Sequence, residues 1–401
     1  MSGAGQERFT GSFTQQEPIP EDAIEAAVAV MRSGRLHRYN TEDGEVAALE
    51  REFASYTGAK YALAVASGGY AMGAALRAVG IGPGDKVLTN AFTLAPVPGA
   101  IAGVGAVPVF VGVSEHLTID LDDLAAKAGE AKVLMLSHMR GHLADMDRLM
   151  QICNEAGVIV IEDCAHTMGA AWRGRMSGRD GLIGCYSVQT YKHMNAGEGG
   201  LLITDDDDVA ARAILLSGSY MLYSRHGTQP PEEAFERAKY VTPNVSGRMD
   251  NLRAAILRPQ LRRLEAQCAA WTARYRAVED GLHGTPGLTV VERPEEERFV
   301  GSSIQFLLLD WSDEAVGEVL SRCAARGVHL KWFGGAEPEG FTSRYDSWHY
   351  APSARMPTSD RVLRGIVDMR LPLTFTLDDC ALIARIIRAE VGAVWQGHGQ
   401  D

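Results

Sequence analysis

Three stretches of the sequence combine chemically capable residue types with places where a fold can expose them. The first is Ser67-Gly68-Gly69, between an apolar run over 61–65 and a helical pattern over 70–79. Small residues at a strand-to-helix turn let backbone N–H groups approach an anion closely, which suits a phosphate. The second, Ile161-Glu162-Asp163-Cys164-Ala165-His166, sets two carboxylates and an imidazole at the end of a β-rich run. An aspartate there could bind a metal, orient a base, pair with a heterocyclic cation or cap a helix. The third, Ser187-Val188-Gln189-Thr190-Tyr191-Lys192-His193, leads into Gly197-Glu198-Gly199-Gly200. Desolvation of a lysine between a strand and a glycine-rich turn lowers its pKa and makes its amine nucleophilic. An anion-binding turn, an acid at a neighbouring strand end and such a lysine together fit pyridoxal 5'-phosphate (PLP). The turn holds the phosphate, the aspartate partners the pyridinium nitrogen and the lysine forms a Schiff base. A dinucleotide fingerprint is absent: Gly80-Ile81-Gly82-Pro83-Gly84 lies between a helix and the following strand, the wrong order for that motif.

These stretches need a scaffold that brings strand ends together. Helical patterns over 21–34 and 44–58 each stop at a glycine, before the first strand. From Lys60 onward, strand-like runs over 61–65, 87–89, 107–111, 133–136 and 158–161 alternate with helical stretches. The alternation predicts a mostly parallel sheet covered by helices on both faces, whose ligands bind at the carboxyl ends of the strands. A further pair, 184–188 and 200–204, brackets Lys192. A long helical pattern over 248–282, interrupted at Pro259, leads to strands over 288–292 and 303–308 and helices over 314–326 and 378–391.

The 401 residues, 46% apolar and 22% charged, are enough for a sizeable core in two domains. A formal charge of -12 repels phosphate backbones and anionic headgroups, so nucleic acid and membrane are not expected partners. The window 87–114 carries no charge, but Pro96, Pro98, Pro108 and four glycines divide it into strand, helix and strand. Six scattered cysteines, with no Cys/His cluster at zinc spacing, read as reduced, buried thiols, and no metal is expected. The start shows no secretory signal, so a cytoplasmic location is expected.

Several ordered motifs carry a resemblance. They are Gly80-Ile81-Gly82-Pro83-Gly84-Asp85, Gly141-His142-Leu143-Ala144-Asp145-Met146-Asp147, Glu162 to His166, Lys192 with Gly197-Glu198-Gly199-Gly200, and Arg248-Met249 leading into a helix. Over residues 14–391 the chain resembles the DegT/DnrJ/StrS-type aminotransferases, fold-type I PLP enzymes best known for nucleotide-sugar substrates. The resemblance implies an α/β fold. A large PLP-dependent transferase domain, with a mostly parallel sheet between helices, would span 1–260 including the N-terminal helical segment, and a smaller C-terminal α/β domain would span 261–401.

Roles follow residue by residue from the same resemblance. Lys192 matches the Schiff-base lysine, Asp163 the pyridinium partner, His166 the position near the cofactor's phenolic oxygen, and Ser187 a phosphate-binding serine. Ser67, Gly68 and Gly69 match a phosphate turn usually written S-G-T, with Gly69 in place of the threonine. Leu94 stands where the family stacks an aromatic ring on the cofactor, with Phe92 two residues earlier. Asn244 or Ser246 matches a phosphate contact supplied by a second subunit, which implies a homodimer with shared sites. Lys331, Trp332, Arg344 and Trp348 replace a stretch common in sugar-specific members and suit a small anionic acceptor, with Arg344 or Lys331 as counter-charge. The implied function is transfer of an amino group from an amino acid, L-glutamate by family habit, to a ketone or aldehyde in biosynthesis. Dehydration or decarboxylation on the same scaffold, or a catalytically silent regulatory protein, are the alternatives. Retention of Lys192, Asp163 and Ser187 argues against silence.

Overall fold

The computed structural model describes residues 7–398. Helices α1 (Glu21–Ser33) and α2 (Glu45–Thr57) end at Gly34 and Gly58, both left-handed, where a side chain would be strained. Strands and helices then alternate: β1 (Tyr61–Val65), α3 (Gly68–Ala78), β2 (Lys86–Asn90), α4 (Pro96–Gly103), β3 (Val107–Val111), α5 (Leu121–Lys127), β4 (Val133–Ser137), α6 (Met146–Ala156) and β5 (Ile159–Asp163). Two short strands, β6 (Ala171–Trp172) and β7 (Arg175–Met176), precede β8 (Ile183–Ser187) and β9 (Gly200–Thr204), with α7 (Asp207–Ser217) and α8 (Glu232–Ala238) after them.

Seven strands form one sheet in the order β1-β9-β8-β5-β4-β2-β3. β9 runs antiparallel to β1 and β8, while the other pairings are parallel. Apolar cores cover both faces, one around Phe53, Leu134 and Leu149, the other around Leu76, Ile101 and Met135. Burial on both faces explains why β1, β4 and β9 bury every residue instead of alternating. The uncharged window becomes β2, α4 and β3. No helix among the described residues is long and apolar enough to cross a membrane, and the six cysteines are free and buried.

α9 (Asn251–Leu261) and α10 (Leu264–Leu282) make the connection. The expected interruption at Pro259 falls later: Pro259 lies inside α9, and the chain turns at Arg262 and Arg263. Proline removes one N–H from the ladder but tolerates a helical φ, so the helix survives a further turn. At the break, the Arg263 guanidinium donates to the Pro259 carbonyl (2.9 Å).

The C-terminal part holds β10 (Thr289–Val290), β11 (Glu297–Arg298), β12 (Ser303–Leu307), α11 (Asp313–Ala325), β13 (Lys331–Trp332), α12 (Pro357–Gly365), β14 (Ile366–Arg370) and α13 (Leu377–His398). An antiparallel sheet β10-β12-β14-β13 packs on α10, α11 and α13 around Phe306, Val319 and Ile387. β11 joins β6 and β7. Phe9, 3% exposed, is part of this C-terminal core and meets Phe375 edge-on at 4.9 Å. The Phe9 N–H donates to the Arg326 carbonyl (2.9 Å), and Glu17 pairs with Arg370 (2.9 Å). Their aromatic anchor packs these residues against the C-terminal sheet and helices.

α2 is tied to the sheet by a buried carboxylate. Glu50 takes Arg38 in two contacts (3.1 and 3.0 Å) and accepts the N–H groups of Ala64 (3.0 Å) and Gly227 (2.9 Å). Burial opposes its charge, but Arg38 and His226 overcome that and hold its carboxyl at about 2. Glu50→Ala should therefore destabilise the protein by about 3–5 kcal/mol in urea unfolding, since it strands a buried guanidinium. A depressed folded-state pKa contributes stability above the ordinary carboxyl value of about 4.3 and loses it as pH falls toward 2. The wild type should lose stability across that window, with Glu50→Ala flatter there.

Candidate active site

Strand register gathers the expected phosphate-binding residues. Val65 pairs with Gly200, and Gly200 with Ser187, so the Ser67-Gly68-Gly69 turn leaves the sheet in the same row as Ser187. A Cβ on Gly200 would stand 2.4 Å from the Ser67 carbonyl carbon, and one on Gly68 2.9 Å from Ser187 Cβ, so only glycine permits the approach. Ser67 caps α3, its Oγ accepting from the Tyr70 N–H (3.0 Å). The first-turn N–H groups of Gly68 and Gly69 have no intrahelical acceptor, which suits an anion such as phosphate. At Gly69 a Cβ would meet nothing nearer than Ser67 Oγ at 3.8 Å, so packing does not demand the loss of the family's threonine.

The next strand end in the sheet carries the acid. Glu162 and Asp163 are neighbours on β5 and point to opposite faces, so one can anchor while the other serves the site. Glu162, fully buried, accepts from the N–H groups of Gly178 (2.8 Å), Asp180 (3.0 Å) and Gly181 (2.6 Å) and contacts His138 Nε2 at 2.9 Å. His138, Glu162 and Cys164 have the residue types of a metal group. Glu162's lone pairs are already taken. Asp163, 7% exposed, accepts from Ser137 Oγ (3.0 Å) and the Ala165 N–H (3.1 Å). Burial pushes its carboxyl up, with the Ala165 N–H and Lys192 opposing, so a nearby cation would keep it ionised. Asn90 braces Ser137 from β2, its side chain bonding both Ser137 backbone groups.

Lys192 Nζ lies 2.7 Å from His166 Nε2, and His166 Nδ1 accepts from the Arg140 N–H (3.3 Å). With Nδ1 accepting, the neutral ring carries its proton on Nε2 and donates it to an uncharged lysine amine. Burial lowers His166 well below the usual imidazole range, aided by Lys192 and Arg140, and so favours that neutral ring. The Lys192 ammonium is pushed down to about 8 by burial and by Arg140, against the pull of Asp163. About a tenth of it is neutral at pH 7 and half at pH 8.

The remaining expected residues are more scattered. Phe92 is buried edge-on against Phe333 at 5.2 Å, which leaves half-buried Leu94 at that sheet end. Asn244 and Ser246 share a loop in which the Ser246 N–H (3.0 Å) and Oγ (3.1 Å) both donate to Asn244 Oδ1. Arg344 is engaged by Asp346, with contacts of 3.2 and 3.1 Å. Trp348 packs in the core with Phe110 and Tyr345, and Trp332 Nε1 donates to the Arg364 carbonyl (2.7 Å). Lys331 differs: it sits opposite Asp368 in the β13–β14 ladder, close enough for Asp368, Arg140 and Arg370 to affect its ionisation. Arg140, Ser137, Asn90 and Asp368 are site residues that motif reading missed. A lone arginine directly before Gly141, at the end of an apolar strand run, was the available signal for the first.

This donor set fits PLP: a glycine cradle for a phosphate, a buried acid needing a cation, and a lysine with a depressed pKa. The match with known proteins agrees. The description DegT/DnrJ/EryC1/StrS aminotransferase family covers residues 18–388. The L-glutamine:scyllo-inosose aminotransferase of Streptomyces griseus is 32% identical over 287 residues, 70% of this chain and 67% of that one. The dTDP-3-amino-3,4,6-trideoxy-alpha-D-glucose transaminase of Streptomyces venezuelae is 32% identical over 348 residues, 81% and 84% of the two chains. Matched spans among curated relatives run from 57% to 88% of their length. In fold, the crystal structure of 3-amino-5-hydroxybenzoic acid synthase superposes with a TM-score of 0.81 at 27% identity, covering 97% of this chain and 100% of that one. The chain belongs to the DegT/DnrJ/EryC1/StrS aminotransferase family.

Proposed function

We propose that the protein binds PLP at Lys192 and transfers an amino group from an L-α-amino acid, L-glutamate or L-glutamine, to the carbonyl of a small biosynthetic acceptor. The observation that carries this reading is the contact of Lys192 Nζ with His166, at the sheet edge that also holds Asp163, Ser187 and the Ser67-Gly68-Gly69 turn. PLP, when bound, supplies an electron sink for the carbanion left when the donor loses its α-proton. Lys192 Nζ is the base that removes this proton and returns it, with His166 Nε2 fixing its position. Asp163, braced by Ser137 and the Ala165 N–H, holds a positive ring N–H. Ser67, Gly68, Gly69 and Ser187 would hold the phosphate, and Leu94 would offer the ring an apolar contact.

Asn244 or Ser246 from a second copy of the chain completes the phosphate shell, making the working unit a homodimer. Around that loop Tyr220 is 60%, Tyr240 84% and Val241 79% exposed, an apolar rim that a second copy would cover.

Protein loaded with PLP should show an absorption band at the visible edge, and Lys192→Ala should lose it after dialysis. Capture of PLP by cofactor-free protein should accelerate with pH around a midpoint of about 8, because the neutral amine reacts and its pKa is depressed. A midpoint near the ordinary lysine value of about 10.4 would contradict the buried site. Asp163→Asn should keep some cofactor yet slow α-proton removal about 10²- to 10⁴-fold, measured by exchange of the donor's α-deuterium. Turnover of a panel of amino donors with keto acids, inososes and nucleotide-linked keto sugars decides the substrates. A product that retains no donor nitrogen would instead point to dehydration.

A further inference from the structure

Arg140 occupies the site in a manner that the fold alone does not require. Its backbone is left-handed (φ 56°, ψ 20°), a region sparsely used by residues other than glycine. The Nη2 atom is 2.9 Å from Asp368 Oδ2, but the contact is not aligned as a hydrogen bond. Nε and Nη2 are both buried without a hydrogen-bond partner among the described residues. The other Asp368 oxygen is taken by Gln305 Nε2 (2.7 Å). Besides burial, the Arg140 charge lowers the pKa of Lys192, His166 and Lys331 alike. Lys331, half-buried across the ladder from Asp368, makes no ion pair with a described residue.

Charge balance then leaves a vacancy for an anion. With the cofactor in place, Asp163 answers the ring nitrogen, and Lys192 loses its charge once its amine is engaged. Arg140 contacts the carboxylate of Asp368 and Lys331 makes no ion pair among the described residues, so one positive charge remains unmatched. Arg344 cannot be that charge's source, being held by Asp346. We propose that Arg140, supported by Lys331, receives the α-carboxylate of the amino donor. Its backbone N–H holds the imidazole that touches Lys192 Nζ, which keeps the residue beside the reacting amine, and the donor's α-carboxylate is one bond from the carbon that this amine deprotonates. A guanidinium offers the carboxylate a two-pronged, charge-assisted contact. This assignment rests on the aminotransferase reading above.

The test uses the full chain loaded with PLP, wild type, Arg140→Gln and Arg140→Lys, with the cofactor band confirming a loaded site. L-Glutamate is titrated against the band, and 4-aminobutyrate, which lacks the α-carboxylate, is titrated as a competitor. Arg140→Gln should raise the half-saturating L-glutamate concentration about 10- to 100-fold, Arg140→Lys less, and leave 4-aminobutyrate unchanged. Equal L-glutamate affinity in wild type and Arg140→Gln overturns the proposal, as does equal weakening of both amines. A wild type that responds to no amino acid refutes the aminotransferase reading instead. Calorimetric binding of 2-oxoglutarate to the cofactor-free proteins then judges Arg140 separately: a 10- to 100-fold loss in Arg140→Gln supports an anion subsite, and no change overturns it.

Discussion

The sheet's carboxyl edge depends on a carboxylate that no solvent reaches. Glu162 gathers three backbone N–H groups and one imidazole, and in doing so pins the 178–181 loop and the residue after β4 to the end of β5. Glycine makes this possible: a Cβ on Gly181 would stand 2.6 Å from the Val160 carbonyl, and one on Gly184 2.7 Å from Gly178 Cα. Burial alone would favour a protonated acid, yet His138 and these amides keep Glu162 below the usual carboxyl range. A fully satisfied buried acid rigidifies its surroundings. Asp163, the next residue, therefore leaves the strand at a fixed angle into the site.

The site itself stores opposed electrostatic demands in a small volume. Burial raises Asp163 and lowers Lys192, and each partly restores the other's charge. Neither is comfortable alone, a condition that marks a candidate functional site. His166 belongs to neither sign: buried and flanked by cations, it stays neutral and works through its tautomer.

The sheet and the motifs at its strand ends were legible in the sequence because their signals are contiguous. β1, β3 and β9 fall where periodicity places them, and Ser67-Gly68-Gly69, Glu162-Asp163 and Lys192 are short motifs at strand ends. The Arg140–Asp368 pair was not legible, since it joins residues 228 positions apart through the pairing of β14 with β12 and β13. Arg344 and Trp348, which the sequence sets in a cation-aromatic cluster, have partners of their own in the structure. Asp346, two residues from Arg344, was a visible local partner, while burial of Trp348 against Phe110 needed the fold. The helix break was misplaced because proline marks a lost hydrogen bond, and α9 tolerated that loss.

The anchoring of the N-terminal segment bears on how the molecule is made. Phe9 docks in a core built from residues as late as Val394, and Glu7 pairs with Arg385, 378 positions away. On the ribosome, these residues emerge before the core that Phe9 joins, which is completed only when α13 has followed. The large sheet, complete once β9 has emerged, can condense long before. The phenylalanine-bearing segment must thus wait as an exposed apolar stretch until α13 has followed, and only then close across the smaller sheet.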